Sequence, residues 1–272
     1  MKRRAPAGRA CPAGLVHATA IVDPGARLGP GVAVGPYAVI EPEVMLGRGC
    51  VVHSHAVIGG PAEIGAGTRI HPYAVVGTDP QDHKWKGERT IARIGARCEI
   101  REFATINRGT GRGGGETVVM DDSYVMAHAH VAHDCRLGSH VVIANMCSLA
   151  GHVVVDDHVV FGGMSAVSQY VRIGRCAFVA AGAMLERDLP PFGIAAGDRA
   201  RLAGVNLVGM RRLGLSDEAR RAIKGAYAIL LRKGVAFRLA LREIEASWGV
   251  IPEVRAILDF IGDSRTGIVP PG

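Results

Sequence analysis

Five residues with side chains or backbone suited to proton transfer recur at a spacing of 18 positions in this chain. His133, Gly151 and Gln169 each lie two positions after an apolar residue, and Asp134 and His152 occupy the next position of the same pattern. If the chain winds in coils of 18 residues, these five residues stack on one patch, separated by roughly 4.8 Å per coil. We therefore treat the patch as the candidate site.

The chemistry of this patch matches acyl transfer to a hydroxyl group. A neutral His133 can remove a proton from the hydroxyl, the Asp134 carboxylate can set the histidine tautomer, and the Gly151 N–H can stabilise an oxyanion. His130 adds a further polar group just before the same corner. The alternative is that histidines at solvated corners have no role, which we expect for His53, His55, His71, His140 and His158.

A zinc site is an alternative, because a parallel β-helix can carry three histidine ligands. His128 and His133 have a suitable spacing, but no histidine lies between His83 and His128 to supply the third ligand. We therefore predict no metal and no cofactor.

The element that must position the patch is defined by an apolar residue at every sixth position. This period fits neither a helix nor a single long strand, but it is typical of hexapeptide repeats, in which three hexapeptides form one triangular coil. The series begins at Val16, breaks after Val76, resumes at Ile94, breaks again after Ile106, and runs from Val119 to Leu185. The sequence therefore predicts a mainly β fold, a parallel β-helix.

The breaks in the repeat suggest the organisation of the chain. We expect a disordered N-terminal extension at 1–14 and the β-helix at 15–189, with loop insertions at about 77–93 and 107–118. A C-terminal helical domain is predicted at 190–272. Its helices are expected from Ser216 to about Lys233, over about 235–247, and over 252–262.

Composition narrows the partners and the compartment. The net charge of +7 is concentrated in the last third, without the interleaved aromatic residues of a single-strand binder. This favours an acidic protein or a phosphate-bearing ligand over nucleic acid. The cysteines form no CxxC pair, and four of the six occupy small positions of the repeat, so we expect a reducing cytoplasm. No apolar run is long enough for membrane insertion.

The chain resembles the UDP-N-acetylglucosamine acyltransferases that begin lipid A synthesis. The matching segments are Gln81–Lys84, Ile106–Thr110, His130–Cys135, Leu149–His152, Gly162–Met164 with Gln169, and Gly204–Asn206. The resemblance implies a left-handed coil and transfer of a 3-hydroxyacyl chain from acyl carrier protein to the glucosamine 3-hydroxyl of the UDP-sugar. It also implies that His133 is the general base, that Asp134 orients it, and that the Gly151 N–H is the oxyanion donor.

The same resemblance assigns the remaining site residues and the partners. Gln81, Asp82 and Lys84 would hold the sugar together with His130, His152 and Gln169, while Asn206 and Arg212 would meet the nucleotide. It further implies a homotrimer with sites between subunits, and acyl carrier protein, which is acidic, docking on the basic C-terminal region.

Three positions depart from the family pattern or bear on specificity. Val208 replaces an acidic residue and Leu213 replaces a second arginine beside Arg212, so nucleotide contacts are expected to be fewer or rearranged. Ala181 stands where the family uses side-chain size to limit acyl length, which suggests a shorter chain than a glycine would allow. The competing readings are a related N-acyltransferase, an acetyl-CoA-dependent sugar acetyltransferase, and a purely structural β-helix.

Overall fold

The computed structural model describes residues 14–232, Gly234 and 236–272. Most of the predicted N-terminal extension therefore lies outside the described residues, as do Lys233 and Val235. The described chain winds through three sheets, here called I, II and III, visiting them in that order in every coil. Neighbouring strands within each sheet are parallel, except for the last strand of sheet III. The chain therefore forms a parallel β-helix with three faces and three edges.

Most strands are only two or three residues long. Sheet I contains β1 (Ile21–Val22), β4 (Val39–Ile40), β7 (Val57–Ile58), β10 (Val75–Thr78), β13 (Thr105–Asn107), β16 (His130–Val131), β19 (Ser148–Leu149), β22 (Ala166–Val167) and β25 (Met184–Leu185). Sheet II contains β2 (Arg27–Leu28), β5 (Val44–Leu46), β8 (Ala62–Ile64), β11 (Ile91–Ile94), β14 (Glu116–Val119), β17 (Arg136–Leu137), β20 (Val154–Val155) and β23 (Arg172–Ile173). Sheet III contains β3 (Ala33–Val34), β6 (Val51–Val52), β9 (Arg69–Ile70), β12 (Glu99–Ile100), β15 (Tyr124–Val125), β18 (Val142–Ile143), β21 (Val160–Phe161), β24 (Phe178–Val179), β26 (Gly193–Ala196) and β27 (Arg201–Val205).

Each six-residue repeat, or hexad, contributes its apolar residue to the interior of the triangular β-helix, here called the prism. Val131, Leu149 and Val167 pair across β16, β19 and β22 at intervals of one coil, and all three are buried. The predicted stacking of residues 18 positions apart is therefore present. The cysteines of the described region are free and buried, and burial raises the pKa of the Cys135 thiol to about 12. Such thiols act as small core residues rather than as nucleophiles.

Both loop insertions leave the β-helix at the edge between sheets I and II. The first joins β10 to β11 and the second joins β13 to β14. Their extent is shorter than predicted, 79–90 and 108–115, because β10, β11 and β14 continue for four residues, and β11 pairs with β14 along its whole length. Both loops thus lie at the edge between sheets I and II, and His133 lies at this same edge one coil after the second loop.

The helical region begins later than the predicted boundary at 190. Strand β26 pairs with β24, and β27 turns back to run antiparallel to β26, so sheet III continues to Val205. The Pro190-Pro191 pair interrupts the hexad pattern without ending the sheet. Beyond it lie four helices, α1 (Leu207–Arg212), α2 (Asp217–Leu230), α3 (Phe237–Trp248) and α4 (Pro252–Gly262).

Helix α1 was not predicted, and the ends of the next two helices differ from expectation. Ser216 caps α2 as predicted, accepting a hydrogen bond from Ala219 N, but α2 ends at Leu230 and α3 starts at Phe237. The fully buried Tyr227 of α2 donates its hydroxyl hydrogen toward the carbonyls of Pro190 and Pro191, which joins the helices to the last coil. Among the described residues, no helix has the length and apolar character needed to cross a membrane.

Candidate active site

His133 and Asp134 form a buried pair at the edge between sheets I and II. His133 Nδ1 lies 2.8 Å from Asp134 Oδ2, and His133 is only 6% exposed. When His133 Nδ1–H donates a hydrogen bond to Asp134 Oδ2, the lone pair of the ring is on Nε2. There it can accept a proton from a substrate hydroxyl. The sequence predicted the pair but placed it at a solvated corner, and the structure buries it.

Loop 108–115 accounts for this burial. Thr110 donates its backbone N–H to Asp134 Oδ1 at 2.8 Å and its hydroxyl to Oδ2 at 2.7 Å. The Asp134 N–H in turn donates to Thr117 Oγ1 at 2.8 Å. These bonds hold the carboxylate in one orientation at a corner where Asp134 has a φ of 61°. Sequence reasoning missed Thr110 and Thr117, because neither belongs to the column that is 18 residues apart.

Gly151 lies directly under the imidazole of His133. A Cβ on this glycine would stand 2.5 Å from His133 Cε1, so any side chain would displace the ring. The Gly151 carbonyl accepts a hydrogen bond from Tyr170 N, whereas its N–H has no acceptor among the described residues. The glycine therefore has two functions: it makes room for the base, and it offers a free N–H beside it.

His152 lies next to the pair in the following coil. Its Nε2 is 3.8 Å from Asp134 Oδ2, and its ring meets that of His133 edge to face, with centroids 5.2 Å apart. The exposed ring of Tyr170 stacks on the other side of His152 at 4.6 Å. Burial lowers the pKa of His152, and the nearby Asp134 charge opposes this shift. Tyr170 was not predicted as a site residue, although it continues the column of Asp134 and His152.

His130 is placed by the strand that leads into this corner. It pairs with Thr105 in the neighbouring coil, and His130 Nδ1 lies 2.7 Å from Thr105 Oγ1. Burial, followed by the influence of His133, lowers the pKa of His130. Gln169 lies on the same edge in the coil after Gly151, and it is exposed.

Loop 79–90 brings Asp82 close to the pair. Asp82 Oδ1 accepts the Lys84 N–H at 2.9 Å, and this bond is the main cause of the lowered pKa of the Asp82 carboxyl, to which His133 and Lys84 also contribute. Arg108 holds the loop in place, since its guanidinium forms an ion pair with Asp79 and lies 5.3 Å from the Trp85 ring centroid. Gln81 and Lys84 are exposed, so they remain available to a ligand.

Asn206 and Arg212 lie at a different edge, between sheets II and III. They line a pocket of about 550 Å³ together with Val208, Leu213 and residues of sheet III. The Asn206 side chain is already engaged: Nδ2 donates to Cys176 O at 2.9 Å, and Oδ1 accepts Gly209 N at 2.9 Å as the cap of α1. Arg212 is exposed and holds the positive charge on this pocket.

Ala181 occupies the third edge, between sheets III and I, where it is exposed. The structure thus brings together His130, His133, Asp134, Gly151, His152 and the loop of Asp82 and Lys84. It does not bring Asn206, Arg212 or Ala181 to that group within one chain.

One set of side chains in the described part of the protein could hold a metal ion. His133, Asp134 and His152 each offer a ligand atom, and these atoms lie within 4.8 Å of one another. However, both Asp134 oxygens already accept hydrogen bonds from Thr110, and His133 Nδ1 faces Oδ2. The donor set suits an oriented base better than a zinc ligand shell.

Two family models match parts of this chain. A family model described as "Udp N-acetylglucosamine O-acyltransferase; Domain 2" matches residues 188–269. A model of six bacterial transferase hexapeptide repeats matches 25–60, 43–78 and 116–151. Both models agree with the division into coils and a C-terminal region.

Curated relatives and solved structures cover nearly the whole chain. The acyl-[acyl-carrier-protein]–UDP-N-acetylglucosamine O-acyltransferase of Paraburkholderia xenovorans is 43% identical over 93% of this chain and 98% of its own. The protein of the same name from Janthinobacterium is 45% identical over 94% of this chain and 99% of its own. The Francisella novicida UDP-N-acetylglucosamine acyltransferase structure is 34% identical, covers 94% of both chains and has a TM-score of 0.90. The predicted fold class, a left-handed parallel β-helix followed by a helical cap, is confirmed.

Proposed function

This chain belongs to the UDP-N-acetylglucosamine O-acyltransferase family, and we propose that it transfers an (R)-3-hydroxyacyl chain from acyl carrier protein to the 3-hydroxyl of the glucosamine ring of UDP-N-acetylglucosamine. This reaction is the first step of lipid A synthesis. The observation that carries the proposal is the 2.8 Å contact between His133 Nδ1 and Asp134 Oδ2 beside the free N–H of Gly151.

His133 acts as the general base in the proposed mechanism. Its Nε2 takes the proton of the sugar hydroxyl as the hydroxyl oxygen attacks the thioester carbonyl carbon of the acyl donor. The carbonyl oxygen becomes an oxyanion, which the Gly151 N–H stabilises. Collapse of the tetrahedral intermediate breaks the C–S bond, and the proton on His133 passes to the leaving thiolate. No cofactor is needed, because the thioester itself supplies the activated acyl group.

Asp134 has an orienting role, since it holds the proton on Nδ1 and stabilises the imidazolium that forms when Nε2 is protonated. The sugar is held over this pair by Gln81, Asp82 and Lys84 of loop 79–90. The cluster of neutral histidines with lowered pKa values, His130 and His152, presents hydrogen-bonding groups without positive charge. Gln169 extends the same polar edge by one coil.

The nucleotide binds the pocket that Arg212 and Asn206 line. Arg212 meets the diphosphate, and Asn206 shapes the pocket through its cap of α1 rather than by a free amide. Val208 and Leu213 make the remaining wall apolar, so charge contacts to the nucleotide are fewer than in the family pattern. This pocket and His133 lie at different edges of one chain, which supports a homotrimer whose sites lie between subunits.

Acyl carrier protein docks on the basic surface of the C-terminal region. Arg220 and Arg232 are paired with Asp217 and Glu243. The other basic side chains of this region to which we assign docking are Arg199, Arg201, Arg211, Arg221, Lys224, Arg238 and Arg242. Ala181 limits the acyl chain to a shorter length than a glycine would allow. The buried free thiols fit a reducing cytoplasm.

The test is an acylation assay with UDP-N-acetylglucosamine and 3-hydroxyacyl carrier proteins of several chain lengths. Formation of acyl-UDP-N-acetylglucosamine is expected, with a loss of about 100- to 10,000-fold in His133→Ala. His17→Ala is the matched control, because His17 lies in the first coil and its ring is hydrogen-bonded to Thr19 rather than to any residue of the site. A folded protein that gives no product with any donor would refute the proposal.

A further inference from the structure

Two stacked histidines lie beside Arg212 in the pocket assigned to the nucleotide. His140 and His158 each follow the core residue of a sheet II strand by three positions, so they occupy the edge between sheets II and III in successive coils. Their rings are nearly parallel, with centroids 4.6 Å apart and an interplanar angle of 6°. Both line the pocket of about 550 Å³ that Arg212 also lines. These two histidines are thus part of a pocket, and not isolated residues at solvated corners as the sequence suggested.

The ring nitrogens of this pair are available to a ligand. Among the described residues, neither His140 nor His158 has a hydrogen bond from a ring nitrogen to another side chain or to the backbone. The other parallel histidine pair differs, because His71 stacks on His53 and its Nε2 lies 2.9 Å from Glu99 Oε1. Since each ring of the first pair covers one face of the other, the ring edges with their N–H groups remain for an occupant of the pocket.

The pocket has fewer permanent charges than the family pattern provides. Leu213 stands where that pattern has a second arginine beside Arg212, and Val208 stands where it has an acidic residue. Arg212 is consequently the one arginine or lysine among the described residues that line the pocket. The diphosphate of a UDP-sugar carries a negative charge on each phosphate, so a single arginine leaves part of this charge unmatched.

The surroundings of His158 keep its ring neutral at neutral pH in the free protein. Burial is the main cause of its lowered pKa, followed by His140 and Arg175, while Asp157 opposes the shift. Asp157 is itself engaged, since its Oδ1 accepts the Ser139 N–H at 2.7 Å. An anion in the pocket adds an opposite charge close to the ring, and such a charge favours the protonated form.

The surroundings of His140 offer it no free carboxylate. Asp122 is close enough for His140 to contribute to the lowered pKa of this carboxyl, but the hydrogen bond from Arg97 is the main cause. Both Asp122 oxygens accept from the Arg97 guanidinium at 2.7 Å, so the carboxylate charge is already matched. On the side of α1, the charge of Arg212 opposes protonation of the pair until an anion neutralises it.

We propose that His140 and His158 take up a proton when the UDP-sugar binds and donate hydrogen bonds from their ring edges to its diphosphate. The protonated pair then supplies the second positive charge of the pocket, in place of the arginine that Leu213 replaces. One proton serves both rings, because a second proton so close to the first would be repelled by it. This inference rests on the proposed function for the identity of the ligand, and it goes further by naming two ligand contacts and a proton uptake.

The proton uptake makes binding tighter in mild acid. The ligand raises the affinity of the pair for a proton, so by linkage a proton raises the affinity of the pair for the ligand. Affinity for the UDP-sugar is therefore expected to increase as the pH falls from about 8 to about 6, a range that contains the usual histidine pKa of about 6.5. Neither phosphate of the ligand is a monoester, so the diphosphate itself does not titrate in this range.

Calorimetric titration with UDP-N-acetylglucosamine tests the proposal without turnover. Asparagine removes the titrating ring and tolerates the φ of 59° at His140 and 61° at His158, so the test protein is the double variant His140→Asn with His158→Asn. It should bind about tenfold more weakly than the natural chain at about pH 6, and within about twofold of it at about pH 8. Titrations in buffers of different ionisation enthalpy should show that it takes up fewer protons. His17→Asn is the control and should follow the natural chain.

The complementary variant is His158→Arg, which makes the positive charge permanent. Arg97 has a φ of 56° in the same edge column, so this backbone accommodates arginine. The variant should bind the UDP-sugar at about pH 8 more tightly than the natural chain does, and its affinity should change less with pH. Weaker binding than the natural chain at about pH 8, in a variant shown by thermal melting to be folded, would contradict the proposal.

Equal pH dependence and equal proton uptake in the natural chain and the double asparagine variant would overturn the proposal. That result leaves acylation by the natural chain intact, so it is distinguishable from a failure of the proposed function. A natural chain that binds no UDP-N-acetylglucosamine at any pH would overturn both. If the double variant does not fold, the arginine variant decides.

Discussion

Gly113 lies so close to Asp134 that a Cβ on it would stand 2.0 Å from the carboxyl carbon. The glycine of loop 108–115 therefore packs its Cα directly against the carboxylate that orients His133. This contact explains the glycine at position 113, because a residue with a side chain there could not close over the aspartate. The loop seals the carboxylate from water while Thr110 of the same loop supplies its hydrogen bonds.

We expect Gly113→Ala to impair catalysis more than folding. The added methyl must push the loop or the Asp134 carboxylate, and a misplacement of about 1 Å can cost roughly 100-fold in rate. Steady-state kinetics and thermal melting would measure the two effects. Gly111→Ala is the control, since a Cβ there meets only the flexible Glu88 side chain at 3.2 Å. Equal rates in the two variants would contradict the packing argument.

Thr110→Val should lower kcat because it removes the hydroxyl donor to Asp134 Oδ2 while keeping the shape of the side chain. A hydrogen bond to a charged group contributes about 1.5–3 kcal/mol, so a loss of stability of this size is expected in denaturant unfolding. Thr110→Ser restores the donor and should recover most of both quantities. If serine fails to rescue kcat, the methyl group rather than the hydrogen bond is what matters.

Tyr170 is expected to control the environment of His152 through its ring and not its hydroxyl. The ring stacks on His152 at 4.6 Å and helps to bury it, and burial is the main cause of the lowered pKa of His152. In Tyr170→Ala the pKa of His152 should therefore rise toward its usual value, while Tyr170→Phe should leave it unchanged. NMR titration of the imidazole in both variants measures this directly. A shift in the phenylalanine variant would assign the effect to the hydroxyl.

His53 should make the protein less stable in mild acid. Burial is the main cause of its lowered pKa, followed by His71, whose ring stacks on it at 4.9 Å, and by Arg69, while Glu102 and Glu99 oppose the shift. Its Nε2 is buried without a hydrogen-bond partner among the described residues. Because the folded pKa is below the unfolded value, the unfolded chain binds more protons as the pH falls. Stability is thus full above the usual histidine pKa of about 6.5 and declines as the pH falls below it.

The measurement is the melting temperature as a function of pH in the natural chain and in His53→Gln. The variant lacks the titrating ring, so its melting temperature should fall less steeply over the same pH range. His17→Gln, in the first coil, is the control and should follow the natural chain. Parallel curves for the natural chain and His53→Gln would show that other histidines carry the acid sensitivity.

The repeat predicted which residues of the site stack, but not what covers them. His133, Gly151 and Asp134 follow the hexad, so their spacing alone placed them on one edge. Thr110 lies 24 residues before Asp134 in an insertion without a repeat, and only the folded loop shows the contact. A local pattern cannot report burial that a distant loop creates, which is why the base was expected at a solvated corner.

In the C-terminal region, a residue predicted to contact the nucleotide also has a structural role. The Asn206 side chain caps α1 through Oδ1 and donates a hydrogen bond from Nδ2 to the Cys176 carbonyl. An asparagine three positions before Gly209 is a standard helix-start signal, but the six-residue α1 is too short to show a period. Strands β26 and β27 were missed because Pro190-Pro191 suggested an end to the sheet, whereas the chain resumes pairing two residues later.

Because both insertions leave and rejoin the β-helix at the same edge, the strands of sheet II before and after them keep their register. Strands β8, β11, β14 and β17 pair in sequence as though nothing had been inserted between them. The interior of the prism therefore places no constraint on either loop. The constraint on loop 108–115 comes instead from Asp134, which accepts hydrogen bonds from Thr110 and against which Gly113 packs.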